Sequence, residues 1–250
     1  MLAFVNSTQP EQTEQAEKIL YEQPGAQLVQ SNMSSHKELI DEAIKEVKHL
    51  LHKKPPIGKL YGKMAYQQRN VGFFCHPGVS YGYFYSGQCQ EAQNLPPAMA
   101  KVLDLINEKF GAQFNGLLVN HYEDGKDMIN AHSDDETGLD PTTGVVSLSW
   151  GAQRKFRIRK KTPGTQSGPI LCDVPTKSYH AIQMRGPKFQ NDLTHEIPKE
   201  TKVMGERVSI TARRHCAAQE APLIAQYERR KRQREEEINE LREQNKRAAW

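Results

Sequence analysis

The chain has 250 residues, 26% of them charged, with 34 basic against 30 acidic side chains and a formal net charge of +4. That length suits one domain with helical extensions and can bury a substantial core. No apolar run approaches a membrane span, and so small a positive excess does not by itself identify a nucleic-acid binder. The four cysteines (Cys75, Cys89, Cys172 and Cys216) lie far apart without a C-x-x-C pair. This argues against a structural zinc site or a disulfide scaffold and suits a reducing compartment. The apolar start from Met1 to Val5 is too short for a signal peptide. An intracellular protein, nuclear or cytoplasmic, is expected, with no membrane association.

Residues 1–34 form a first segment; from residue 6 it is rich in Gln, Glu, Ser and Asn, lacks periodicity and reads as a loosely ordered leader. Ser35-x-x-Glu38 has the form of a capping box. Leu39, Ile40, Ala43, Ile44, Val47, Leu50 and Leu51 then recur at helical spacing until Pro55 and Pro56. A second helix opens at Pro96 and Pro97, turns Val102, Leu103, Ile106 and Phe110 inward, and meets a capping glycine at Gly111.

From Phe114 to Arg213 the pattern changes to short β-branched or apolar runs at 116–119, 144–149, 155–159, 170–174, 179–184 and 207–213, separated by Gly, Pro, Asp and Asn. Many short strands with turn signals indicate a sandwich or barrel of jelly-roll type. The expected fold is therefore α+β: a jelly-roll core within residues 35–216, flanked by N-terminal helices. Residues 217–250 form a charged helical tail, read as a solvated helix packed weakly on the domain.

His132-x-Asp134 puts an imidazole and a carboxylate on one side of an extended segment, because strand side chains alternate with period two. Such a pair can supply two of the three ligands of a non-haem Fe(II) facial triad. A third ligand would come from a distant histidine, with His180 and His195 as candidates. In the run 207–213, Arg207, Ser209, Thr211 and Arg213 share one strand face, opposite Val208, Ile210 and Ala212. The two arginines sit ~20 Å apart on an ideal strand, and their long side chains can lean together to grip opposite ends of a dicarboxylate.

Asn120-x-Tyr122-x-x-Gly125, His132-x-Asp134, a downstream histidine and Arg207-x5-Arg213 occur in the order found in AlkB-type dioxygenases, which this chain resembles over roughly residues 55 to 215. Further matches run from Tyr83 to Gly87, from Ser147 to Gly151, and from Thr194 to Pro198. The resemblance implies a double-stranded β-helix, an Fe(II) centre, 2-oxoglutarate as cosubstrate and O2. It selects His195 over His180, in its Thr-His-x-Ile-Pro context, to complete a triad with His132 and Asp134. It assigns Asn120, Tyr122, Arg207 and Arg213 to 2-oxoglutarate, with Ser209 standing where the family commonly has Asn.

Tyr83, Tyr85, Ser86 and Glu136 match the base-recognition region. Leu60-Tyr61-Gly62-Lys63 resembles a hairpin with which an AlkB-type protein probes duplex DNA, so Leu60 and Tyr61 are expected to wedge where the base leaves the stack. The implied activity is oxidative demethylation of N-alkylated bases such as 1-methyladenine and 3-methylcytosine in duplex or single-stranded DNA, releasing formaldehyde. Methylated RNA is the alternative substrate, and a non-catalytic nucleic-acid-binding protein of the same fold is the alternative class. A monomer is expected. The basic runs around Lys53–Lys63 and Arg154–Lys161 are read as phosphate-facing surfaces.

Overall fold

Alternation along the last long strand divides the interior into two faces. In the computed structural model, backbone is described for residues 17–60, 63–85, 88–165 and 167–248, and side chains for the same residues apart from 58–60, 63 and 237–248. The elements begin with β1 (Lys18–Gln23), β2 (Ala26–Asn32) and helix α1 (Lys37–Val47). Five strands follow: β3 (Pro56–Leu60), β4 (Lys63–Tyr66), β5 (Asn70–Cys75), β6 (Gly82–Tyr85) and β7 (Gln88–Asn94). After helix α2 (Pro97–Phe110) come β8 (Gly116–Tyr122), β9 (Ile129–His132), β10 (Val145–Gly151), β11 (Lys155–Lys160), β12 (Ile170–Pro175) and β13 (His180–Arg185). The chain closes with α3 (Phe189–Asp192), β14 (Leu193–Ile197), β15 (Arg207–Arg213) and α4 (Ala221–Ala248).

Nine strands form one sheet in the order β1-β2-β13-β10-β15-β8-β5-β7-β6, and four form a second in the order β12-β11-β14-β9. This is the jelly-roll arrangement, with α1 and α2 outside it. Val208, Ile210 and Ala212 of β15 bury against Ile40, Ile44 and Val47 of α1 and Met99, Val102 and Ile106 of α2 in one apolar cluster. A second cluster joins Tyr122, Val145 and Ile182 of the large sheet to Phe156, Val174 and Ile197 of the small one. The polar face of β15 is thereby turned into the space between the sheets. The two-stranded unit β3–β4 lies over that space, where Ile57, Ala65 and Tyr66 line its mouth.

Helix α2 follows the sequence reading, with Pro97 in its first turn and Gly111 left-handed at φ 58° as its C-cap. Two local expectations are corrected. Ser34–His36 form a 3-10 turn and α1 starts at Lys37 without a side-chain cap, so the Ser35–Glu38 capping box does not form. Residues 18–32 of the supposed leader are an ordered hairpin: Gln23 pairs with Ala26 across the two-residue turn Pro24-Gly25. Its inner strand β2 hydrogen-bonds along β13, which buries Gln30 and Ser31. Backbone pairing, rather than apolar periodicity, places this segment. The described part of α4 is half-buried or exposed, as expected of a solvated helix, and its start is anchored by the buried Glu220 just before it and by Tyr227 and Lys231. Among the described residues no helix is long and apolar enough to cross a membrane.

Candidate active site

The cavity between the sheets measures about 460 Å³, and its walls come from both sheets and from β6. Two strand registers assemble it. In the antiparallel β9–β14 pair His132 stands directly opposite His195, and their ring centroids are 4.3 Å apart. In the β15–β8 pair Ser209 stands opposite Asn120 and Arg207 opposite Tyr122. Residues directly opposite and two apart share one face, so all four side chains point into the cavity. Thr211 and Arg213 continue the same row.

Asp134 lies just beyond β9, fully shielded, with its carboxylate 3.9 Å from His132 Nε2 and 3.7 Å from His195 Nε2. The three ligand atoms all lie within 4.8 Å of one another. His132 Nδ1 is 2.8 Å from the Asn130 carbonyl, which can only accept, so that nitrogen carries the proton. In the neutral ring Nε2 is then the free lone pair, aimed at the cluster. His195 stacks flat on Phe156 at 5.1 Å, which fixes its plane. His180 is elsewhere: it pairs with Ser149 and Asn32 in the large sheet, and its Nδ1 lies 2.9 Å from the Ser178 carbonyl.

Electrostatics suit a cation. Burial holds His132 below its ordinary value and, with the neighbouring His132, brings His195 down to about 3. Both imidazoles are therefore neutral and able to ligate. Burial alone would raise the Asp134 carboxyl, but Arg213, His195 and His132 outweigh it and hold it at about 2. Arg213 Nη2 donates to Asp134 Oδ1 at 2.5 Å and orients that carboxylate. Asp134 Oδ2, Arg207 Nε and Nη1, and Arg213 Nε and Nη1 are buried without a hydrogen-bond partner. Such atoms are costly to leave unsatisfied. One carboxylate oxygen beside two imidazole nitrogens, with two guanidinium groups on the same cavity wall as the histidines, fits a metal ion together with a dicarboxylate.

Arg207, only 2% exposed, donates to Ser149 Oγ at 2.9 Å and lies over the Tyr122 ring at 5.3 Å. Burial lowers its pKa to about 10, so it remains charged at neutral pH. Asn120 accepts from Arg69 Nε at 2.6 Å. On the β6 side, Tyr83 and Tyr85 stand 5.6 Å apart, and Tyr83 donates to Glu136 at 3.1 Å. Burial, reinforced by Asp134, pushes the Glu136 carboxyl up to about 7. Tyr61 and Ser86 lie outside the described residues, and of Leu60 only the backbone in β3 is described.

The sequence reading gave no role to Arg69, Ser147 and Phe156, which line the cavity, or to Ser149, which accepts from Arg207, although both serines lie in the matched run Ser147–Gly151. For the serines a signal exists: β10 alternates as β15 does, and its register sets Ser147 beside Thr211 and Ser149 beside Ser209. Gly125 of the Asn120–Gly125 motif serves the backbone, because a Cβ there would lie 1.9 Å from the Glu200 carbonyl oxygen. The basic strand 155–161 is not a free phosphate surface. Arg157 bonds Asp173 at 2.7 Å, Arg159 bonds Glu196 at 2.9 Å and Lys161 bonds Asp135 at 2.7 Å. The acidic partners come from neighbouring strands and loops, which a linear reading does not see. Lys54 is likewise held by Asp127 at 2.7 Å.

Comparison with known proteins agrees with this geometry. The chain is 36% identical over 121 residues to the rat alpha-ketoglutarate-dependent dioxygenase alkB homolog 3, covering 47% of this chain and 41% of the relative. It is 30% identical over 158 residues to the mouse DNA oxidative demethylase ALKBH2, covering 62% of this chain and 65% of that one. With the Arabidopsis thaliana DNA oxidative demethylase ALKBH2 it shares 29% over 187 residues, covering 66% and 59%. The chain thus spans less than two thirds of each of these relatives. The solved structure of OsALKBH1 superposes with a TM-score of 0.52 at 18% identity, over 79% of this chain and 100% of that one, and shares the fold. These similarities are to AlkB-type oxygenases. The model of the 2OG-Fe(II) oxygenase superfamily matches residues 25–213, and the chain belongs to that superfamily, whose members imply Fe(II), 2-oxoglutarate and O2.

Proposed function

We propose that this protein is an Fe(II)- and 2-oxoglutarate-dependent dioxygenase that demethylates N-alkylated bases, 1-methyladenine and 3-methylcytosine, in DNA. The observation that carries this reading is that one cavity holds the His132–Asp134–His195 cluster, two buried arginines and an aromatic wall of Tyr83 and Tyr85 beside Glu136. Relatives that bear the name DNA oxidative demethylase support the choice of substrate.

In this reading His132, Asp134 and His195 would hold Fe(II), the metal for which a two-histidine, one-carboxylate set is suited. The bound metal, with 2-oxoglutarate and O2, supplies the oxidising power that hydroxylates the N-methyl group, with loss of CO2 and release of formaldehyde. Arg213 holds Asp134 in its ligating orientation and meets the carboxylate of 2-oxoglutarate at the metal end. Arg207, further along β15, receives the distal carboxylate, with Tyr122 and Ser209 closing around it. Asn120, fixed by Arg69, completes the wall between them.

Tyr83 and Tyr85 form the aromatic wall on the base side; Tyr83 is buried with Arg213 over its ring, so Tyr85 is the more accessible stacking surface, and stacking of this kind is worth ~1–3 kcal/mol per base. Methylation at N1 of adenine or N3 of cytosine leaves the ring cationic, which draws it toward the Glu136 carboxyl. A paired base must leave its stack to reach this cavity. The sequence reading of Leu60 and Tyr61 as a wedge gives them the role of filling the gap it leaves.

Purified protein given Fe(II), ascorbate and 2-oxoglutarate tests the substrate choice when offered 1-methyladenine and 3-methylcytosine in matched DNA and RNA oligonucleotides. The expected result is a higher kcat/KM on DNA. A preference for RNA would keep the chemistry and replace the substrate.

A further inference from the structure

We propose that α4 carries a phosphate-binding ridge, centred on Arg230 and Arg234, that holds the nucleic-acid strand flanking the target nucleotide. The inference rests on the reading of the catalytic cavity as a nucleic-acid site and extends it to a helix outside the jelly roll. A groove of about 200 Å³ runs between β6 and α4, and Tyr85 and Glu136 line both this groove and the catalytic cavity. Its other wall is α4, through Leu223, Tyr227 and Arg230. Those positions are spaced by four and three residues, so they form one stripe, and Arg234 continues it one turn further on.

The helix is fixed where this stripe meets the cavity. Glu220, 2% exposed, accepts from Ser80 Oγ at 2.7 Å and from the Tyr81 amide at 2.9 Å, and lies 3.6 Å from His215 Nδ1. Tyr227 packs against the rings of Tyr81 and Phe84 and donates to Glu91 at 3.1 Å. Lys231 bonds the same Glu91 at 2.7 Å. Tyr81 also donates its hydroxyl to Glu228. The carboxylates on the docked face are thus engaged within the protein.

Five of the six residues from Arg229 to Arg234 are basic, and Arg229, Arg230, Arg232 and Arg234 are exposed. A concentrated positive ridge at the end of a groove leading out of the catalytic cavity is complementary to a polyanionic strand. Guanidinium groups match phosphate oxygens in pairs. Arg157 and Arg159 of β11 are ion-paired with Asp173 and Glu196, and only α4 of the two basic segments lines the groove that shares Tyr85 and Glu136 with the catalytic cavity.

The test uses the full chain with Mn(II) and 2-oxoglutarate and a fluorescent single-stranded DNA 15-mer carrying one 1-methyladenine. Affinity is measured by anisotropy over a salt series. Each phosphate contact in a single strand contributes ~0.7 to the slope of log K against log salt. The Arg230→Ala/Arg234→Ala double variant is expected to bind about tenfold or more weakly, with a slope shallower by ~1.4. Arg232→Ala, on the far side of the helix, is expected to leave the slope unchanged, and circular dichroism checks that the helix persists. In turnover with Fe(II), the double variant should raise KM for the 15-mer while leaving kcat unchanged, and should not alter kcat/KM for a methylated trinucleotide. Equal slopes for wild type and double variant, or an equal loss in Arg232→Ala, would overturn the ridge. Wild type that binds the 15-mer but releases no formaldehyde from any methylated substrate would overturn the proposed function while leaving the ridge standing. Wild type that does not bind the 15-mer would overturn the ridge.

Discussion

His132 and His195 face each other across the β9–β14 pair, 63 positions apart in sequence and 4.3 Å apart between ring centroids. The register of two short strands therefore selects the third ligand. His195→Ala should lower affinity for Co(II), titrated in the absence of 2-oxoglutarate, by more than the ~10–100-fold expected for losing an outer-shell contact. His180→Ala, in the other sheet, should bind as wild type. Loss of affinity in His180→Ala with retention in His195→Ala would reverse the ligand assignment.

Arg207 is buried, and two of its guanidinium nitrogens lack a partner. A charge-assisted pair with a carboxylate is worth ~1.5–3 kcal/mol. Arg207→Gln should raise KM for 2-oxoglutarate roughly 10- to 100-fold, and Arg207→Lys should recover only part of the loss, because ammonium cannot grip bidentately. Unchanged KM in steady-state decarboxylation would remove Arg207 from the cosubstrate site.

Much of the site was legible because its residues sit on strands with clean alternation. Arg207, Ser209, Thr211 and Arg213 read as one face from sequence, and the structure places all four on the cavity wall. Asn120 and Tyr122 lie opposite Ser209 and Arg207, so two motifs separated by some 85 positions are one patch. What was not legible depends on partners remote in sequence. The hairpin at residues 18–32 is held by backbone pairing to β13. The apparent phosphate surface on β11 is neutralised by acids on β12, β14 and the loop after β9. The anchoring of α4 begins with one buried carboxylate, Glu220, near the start of a segment that otherwise reads as solvent-facing.

Glu220 also makes a prediction about pH. Burial works against its charge, but hydrogen bonds from His215, Ser80 and the Tyr81 amide prevail and hold it below its ordinary value. Burial keeps His215 below its ordinary value too. A carboxyl depressed on folding stabilises the native state above its unfolded pKa, and that stability is lost as pH falls through the folded one. A depressed histidine has the same sign: the unfolded chain takes up the proton first as pH falls. Stability should therefore decline from about pH 6.5 downward, and more steeply below about pH 4.5. Glu220→Gln should cost about 1–3 kcal/mol at pH 7 and flatten the acid limb in urea unfolding. An unaltered acid limb would show that Glu220 is not held by this network.

Leu60 and Tyr61 are proposed to act only where a base has to leave a duplex. Replacing both with Ala should lower kcat/KM on methylated duplex DNA by about 10-fold or more, the equivalent of losing a stacking contact of ~1–3 kcal/mol. Activity on single-stranded DNA should hardly change. An equal loss on both substrates would remove the wedge role.

The most direct test of the account measures succinate and formaldehyde together, from purified protein supplied with Fe(II), 2-oxoglutarate and O2 and a DNA strand carrying 1-methyladenine. The account predicts formaldehyde and restored adenine in step with substrate-dependent succinate formation, and neither product from His132→Ala. Wild-type protein that folds and binds metal yet yields no demethylated product from methylated DNA or RNA would contradict it.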